Sequence, residues 1–348
     1  MNLIVVTAAA ILTAAGLIAY LVQLRSGLTA TGLHDRFTWG LYIQGFFFFS
    51  ALAAGMLVFI ALVTLFSASR FWPLARMSSA VSFSCLIAAG IMLWADLGKP
   101  FRVFRILFSN NFSSPMTWDF YTLLLCVLLN LVYLSGVVGT GLRAAAWSVI
   151  CLAAALVFIM VHTLFFLSRE GAGFRSQPFL ALDTLVQSLW GGLAAVNLVA
   201  AVSGLAEKSL LAALLVFTVA APMPLIGSSI AAATGAKDKT HQNQSKKFIL
   251  LHLFILAVLL AVVAERKIDL AGSAAAAVAV LVLLAVFLEK AHLVGRYQHN
   301  PTLPLPFSLF EEAPAYRPTY VEWMVAVGSG GLCLLLSVVI IGILEHVR

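Results

Sequence analysis

The chain has 348 residues, 62% hydrophobic and 10% charged, with a formal net charge of +7 and a mean hydropathy of +1.04. Soluble domains are nearer half apolar and a quarter charged, so this composition excludes one and predicts an all-α, polytopic integral membrane protein. The surplus of basic residues sits in short connections beside apolar runs, where topology and anionic lipid account for it without any nucleic-acid partner.

Ten apolar runs of about the 17 to 25 residues that a helix needs to cross the hydrocarbon lie near 3-24, 40-66, 77-95, 118-138, 145-167, 180-203, 209-233, 248-264, 269-288 and 322-344. The first has no basic stretch before it, is followed by Arg25 and exceeds the apolar core of a signal peptide, so it reads as an uncleaved span. The second opens after Trp39, carries Gln44, and contains a run of four phenylalanines, Phe46 to Phe49, expected to face lipid and neighbouring helices.

The connection after the third run, WADLGKPFRVFRILFSNNFSSPMTWD from Trp94 to Asp119, sets Asp96, Lys99, Arg102, Arg105 and Asp119 at a membrane face. Ionisable residues flanking a span mark a ligand, a proton route or a docking partner. Asp119, at the start of a helix, suits the helix dipole; Asp96, at the end of one, does not, which points to function. Arg102 and Arg105 are spaced i, i+3 and share one side of a short interfacial helix, as snorkelling anchors or as a docking surface.

The fifth run holds His162, about 9 Å below the helix end, and the sixth holds Gln187. Pro222 and Pro224 must disrupt the seventh. TGAKDKTHQNQSKK at 234-247 reads as a solvated loop, the eighth run carries His252, and the stretch at 289-321 is a proline-rich surface loop. No segment remains for a soluble domain, so residues 1-348 read as a single membrane domain. Cys85, Cys126, Cys151 and Cys333 each lie singly in an apolar run, which predicts no iron-sulfur cluster, zinc site or disulfide framework in this chain. Bis-histidine haem would need two inward histidines at matching depth; only His162 and His252 lie deep enough, and nothing in their spacing calls for haem.

If ten helices alternate in direction, the connections after the odd-numbered helices share one face. That face takes most of the acids, 14 of the 21 lysines and arginines, and the membrane ends nearest Gln44, His162, Gln187 and His252. Chemistry is expected there.

Four stretches resemble the NrfD/PsrC family of haem-free membrane subunits that pass electrons between quinones and an iron-sulfur partner: TWGLYIQGFFFFSALAAG at 38-55; DLGKPFR at 96-102 with SPMTWD at 114-119; VHTLFF at 161-166 with FRSQPF at 174-179; and YRPTYVEW at 316-323. The helix count, the VHT element and the closing YxPxxxEW pattern look most like the longer branch that contains HybB, DsrP and the ActC subunit of alternative complex III. One departure is Ala53-Ala54, where the ActC-like branch has a histidine. The resemblance implies a multi-pass protein of a prokaryotic cytoplasmic membrane that binds menaquinone or ubiquinone as substrate and carries no haem or cluster of its own. It also implies a ferredoxin-like 4Fe-4S partner and a further catalytic or cytochrome subunit. On it, His162 and Asp96 are the expected catalytic groups; Trp39, Gln44, Asp119, His162 and Gln187 line the quinone site; and Lys99, Arg102, Arg105 and Arg175 are docking or charge partners. Two other readings stay open: a transporter or proton pump built on the kinked seventh helix, and a purely structural membrane anchor.

Overall fold

The computed structural model describes residues 3–34, 37–99, 101–108, 111–168, 179–224, 226, 239–264, 272–296, 298 and 316–346. They form α1 (Leu3–Ser26), α2 (Leu41–Leu65), α3 (Trp72–Asp96), the short α4 (Arg102–Leu107), α5 (Pro115–Leu134), α6 (Leu142–Leu167), α7 (Leu180–Val202), α8 (Lys208–Ala220), α9 (Lys239–Ala264), α10 (Ser273–Arg296) and α11 (Tyr320–His346). Among the described residues, eight helical stretches are long and apolar enough to cross a membrane, while α8 and the Lys247–Ala261 part of α9 are shorter apolar helices. Each of the ten apolar runs therefore contains a helix, and the protein is an all-α, polytopic membrane protein.

Helix ends follow local chemistry more closely than hydropathy does. Pro73 and Pro115 sit in the first turns of α3 and α5, where the missing N–H costs nothing, so both helices start ahead of their apolar runs. α8 stops at Ala220, before Pro222 and Pro224. Two expectations fail. α9 begins at Lys239, inside the stretch read as a solvated loop, because hydropathy marks the span and not the helix. α10 continues to Arg296 instead of ending at 288, and it carries Glu289 and Lys290 into the protein interior, each 3% exposed.

α2 is apolar on every side and buried along most of its length, as expected of a central helix. It packs against α3, α6, α7 and α10. One core joins α2 to α3, α5 and α6; a second joins α7 to α8, α9 and α10; α1 and α11 pair with one another and lean on α3. Cys85 on α3 and Cys333 on α11 approach to 3.6 Å as free thiols. Where lipid removes most of the hydrophobic drive between helices, close backbone approach takes its place. Gly55 of α2 meets Gly192 of α7 so closely that a Cβ at either would run into the backbone of the other, and Gly16 of α1 meets Gly328 of α11 in the same way. Gly192→Val is expected to destabilise the protein by about 1–3 kcal/mol through overpacking, lowering its melting temperature in detergent. A melting curve superimposable on that of the parent would show that the α2–α7 seam is not close-packed.

Candidate functional site

α5 and α6 run antiparallel, so a residue near the start of one meets a residue near the end of the other. Asp119 and His162 are those residues. Nε2 of His162 lies 3.1 Å from Oδ1 of Asp119, with both side chains almost fully buried. The two atoms are at ion-pair distance without the alignment of a hydrogen bond. The imidazole is enclosed by aromatic rings: Phe158 at 4.5 Å, Phe47 at 5.1 Å and Phe46 at 5.7 Å between centroids. Phe46 and Phe47 are thus buried against the histidine and do not face lipid.

The same wall extends to Trp39, whose ring stacks on Phe165 at 5.0 Å and meets Phe166 edge-on at 6.0 Å. Trp39 precedes α2, and its position is set by Gln298, a residue that no pattern in the sequence marks out. Gln298 accepts from the Trp39 amide at 2.8 Å and donates to the Trp39 carbonyl at 3.0 Å. Gln44 is buried one turn before Phe47 and Phe48 on α2. A cavity of about 540 Å³ opens between α5 and α6, lined by Phe112, Trp118, Val161 and Leu164 among others. Its walls are the sequence neighbours of Asp119 and His162, although the pair itself does not line it.

Asp96 occupies a different place. It ends α3 within electrostatic range of Tyr42 and Glu322, and its Oδ1 has no hydrogen-bond partner. The Tyr42 hydroxyl donates to Gln23 Oε1 at 2.5 Å, and Gln23 in turn donates to the Ala95 carbonyl at 2.9 Å. Glu322, fully buried, is the hub of this network. Its Oε2 accepts from the backbone N–H groups of Gly32 and Thr319, both at 2.8 Å, and its Oε1 accepts from the Tyr316 hydroxyl at 2.6 Å. Tyr316 also accepts from the Leu41 amide at 2.7 Å. Burial, with Glu322 adding to it, raises the Tyr316 phenol well above its ordinary range, so it stays a proton donor. Thr319 and Glu322 form a capping box at the start of α11, a pattern legible as T-x-x-E but not singled out from the sequence.

Gln187 is buried one turn after Thr184 on α7. It donates to Asp183 Oδ1 at 2.9 Å within α7, in a second buried group with His252, Glu289 and Lys290. His252 Nε2 lies 3.0 Å from Glu289 Oε1, and its ring stacks on Trp190 at 4.8 Å. The two deep histidines therefore face different carboxylates in different cores. Lys99, Arg102 and Arg105 are exposed, and Arg102 donates to the Leu97 carbonyl at 3.4 Å. Arg175 lies outside the described residues.

Residues 29–299 of the chain match the family model for NrfD, the polysulphide reductase family. The chain belongs to the NrfD family. Among similar proteins are a putative dimethyl sulfoxide reductase membrane subunit of Halobacterium salinarum, 32% identical over 57% of this chain and 50% of the relative, and a selenate reductase subunit of Mesobacillus selenatarsenatis, 26% identical over 33% and 27%. A third is an Hdr-like menaquinol oxidoreductase integral membrane subunit of Archaeoglobus fulgidus, 29% identical over 34% and 29%. The matches span half or less of the length of these relatives. The NrfD match takes in α2 to α10, and so the His162–Asp119 pair and the Asp183–His252–Glu289 group, but not Glu322.

Proposed function

We propose that this chain is a single NrfD-type membrane domain, residues 1–348, serving as the quinone-reactive subunit of an oxidoreductase complex in a prokaryotic cytoplasmic membrane. The observation that carries the reading is the buried His162–Asp119 pair within its aromatic wall. Its relatives support it: an integral membrane subunit of an Hdr-like menaquinol oxidoreductase, and subunits of two reductases.

Oxidation of a quinol releases two electrons and two protons, so the site needs hydrogen-bond partners for the quinol oxygens and a base joined to water. His162 takes the proton and Asp119 orients and stabilises the charged imidazole, while Trp39, Gln44 and the phenylalanines provide a dry wall. Asp96, beside Tyr42, is a separate proton-exchange group. Gln187, which donates to Asp183, keeps its Oε1 free as a further polar group of the site. The exposed Lys99, Arg102 and Arg105 form the docking face, with Arg175 a further candidate, for a ferredoxin-like 4Fe-4S subunit that is joined by a further catalytic or cytochrome subunit. In this reading the chain supplies no haem or cluster, and electrons pass directly between quinone and the partner's cluster.

The test is purification of the assembled complex in mild detergent, with iron, labile sulfide and quinone quantified and oxidation of a menaquinol analogue measured. Expected are co-purifying 4Fe-4S clusters and bound quinone, and about a tenfold slower turnover in Asp96→Asn. Solute transport by a preparation free of iron and quinone would favour the transporter reading instead, and full turnover in Asp96→Asn would remove that residue from proton exchange.

A further inference from the structure

Asp183, Gln187, His252, Glu289 and Lys290 bring together four ionisable groups and an amide, each 8% exposed or less, in the core of α7, α9 and α10. Ionisable groups at this depth are costly and almost always functional or fully paired. These are not fully paired. Both oxygens of Glu289, Nε2 of His252 and Oε1 of Gln187 have no hydrogen-bond partner, although Glu289 and His252 face one another at 3.0 Å.

Two placements tie this group to the His162 site. Asp183 lies three residues after the start of α7 and Glu289 seven before the end of α10, depths of about 5 and 10 Å; His162, five before the end of α6, lies at about 8 Å. All three lie within about 10 Å of helix ends that share one side of the bundle. At the same level, on the α6–α7 interface, the hydroxyls of Thr163 and Thr184 meet at 2.6 Å, both buried. Thr163 follows His162 in sequence, and Thr184 follows Asp183. Each hydroxyl also has a carbonyl of its own helix within reach, Ile159 at 3.5 Å from Thr163 and Ala181 at 3.0 Å from Thr184, so either can donate to the other and the pair can carry a proton in either direction.

We propose that the Asp183–Gln187–His252–Glu289–Lys290 group is the proton outlet of the His162 site, reached through the Thr163–Thr184 hydroxyl pair and opening to water on the face where His162 lies. The inference rests on the quinone reading above. Each quinol loses two O–H protons and two electrons; the electrons pass one at a time to the partner subunit's 4Fe-4S clusters, each of which takes one. Each proton binds at a carboxylate of the outlet and displaces another to water, so the group returns to its starting state. Lys290 offsets the negative charge of Asp183 and Glu289, and Trp190 holds the His252 ring in place by stacking.

The test uses the assembled complex in oriented proteoliposomes, with a menaquinol analogue as donor and a pH-sensitive dye in either compartment. Glu289→Gln keeps the shape of the side chain, and the double variant Thr163→Val with Thr184→Val breaks the hydroxyl pair without touching the carboxylates. Both are expected to slow turnover at saturating quinol about tenfold or more, with the affinity of a quinone-site inhibitor unchanged, partial rescue by a small permeant weak acid such as formate, and protons appearing on the His162 face. Parent-like turnover in both variants overturns the outlet, as does slow turnover that formate does not rescue and that is joined by lost inhibitor affinity. Protons emerging on the opposite face overturn it in favour of a transmembrane pump. A parent complex that oxidises no quinol overturns the quinone reading itself and the outlet with it, whereas a quinol-oxidising parent with unaffected variants overturns the outlet alone.

Discussion

His162→Ala is expected to lower quinol-driven turnover by about 100-fold or more while the chain still inserts and assembles. A positioned general base contributes about 10² to 10⁴ in rate, and a 100-fold loss corresponds to about 2.7 kcal/mol of barrier. His162 is the only base in contact with Asp119 among the described ion pairs, so nothing in the aromatic wall takes over the proton when it is removed. Asp119→Asn should act in the same direction with a smaller effect, because the amide still orients the ring but no longer stabilises its charge. Rapid-mixing measurement of reduction of the partner's clusters by quinol isolates this step from later ones. Cluster reduction at the parent rate in His162→Ala would reject the site, whatever became of overall activity.

Glu322→Ala is expected to destabilise the protein by about 3 kcal/mol or more, the largest structural effect of any single substitution considered. The carboxyl group, itself fully buried, satisfies three part-buried donors from two parts of the chain: Gly32 before α2, and Tyr316 and Thr319 in the approach to α11 and at its cap. Each donor left unsatisfied costs about 1–3 kcal/mol, and the loss also frees Tyr316, which holds the Leu41 amide at the start of α2. Glu322→Gln, which keeps one accepting oxygen, should fall between parent and alanine. Thermal unfolding in detergent, followed with protein yield from membranes, measures the series; an alanine variant as stable as the parent would mean that these bonds are replaced by water at no cost. The same substitution removes the acid facing Asp96 and tests whether the two carboxyls are coupled.

Much of the fold was legible because the bilayer imposes one rule that a single chain can display. A segment that crosses hydrocarbon must satisfy its own backbone and present apolar side chains, and all ten apolar runs contain helices in the structure. His162, Asp119 and Trp39 were legible as candidates for the same reason: a polar or amphipathic side chain stands out against apolar sequence. Alternation of helix direction put His162 and Asp119 at one face. The end of α10 was misread because Glu289 and Lys290 look like residues that close a span, and only their neighbours on α7 and α9 allow them to be buried. Within the phenylalanine run Phe46 and Phe47 are buried against neighbouring helices while Phe48 and Phe49 are half-buried, a division that a helix apolar on every side does not reveal.

By itself, the sequence determined the class, the spans, and the depth and face of the polar residues, since hydropathy and helical rise are local properties. Tertiary structure alone decided the partnerships: His162 with Asp119 and not Asp96, Gln187 with Asp183, Glu322 with Gly32 some 290 positions away. A buried polar group takes whichever partner helix packing delivers within about 3 Å, and that packing depends on close backbone approaches such as Gly55 to Gly192, which no local pattern of charge or hydropathy encodes.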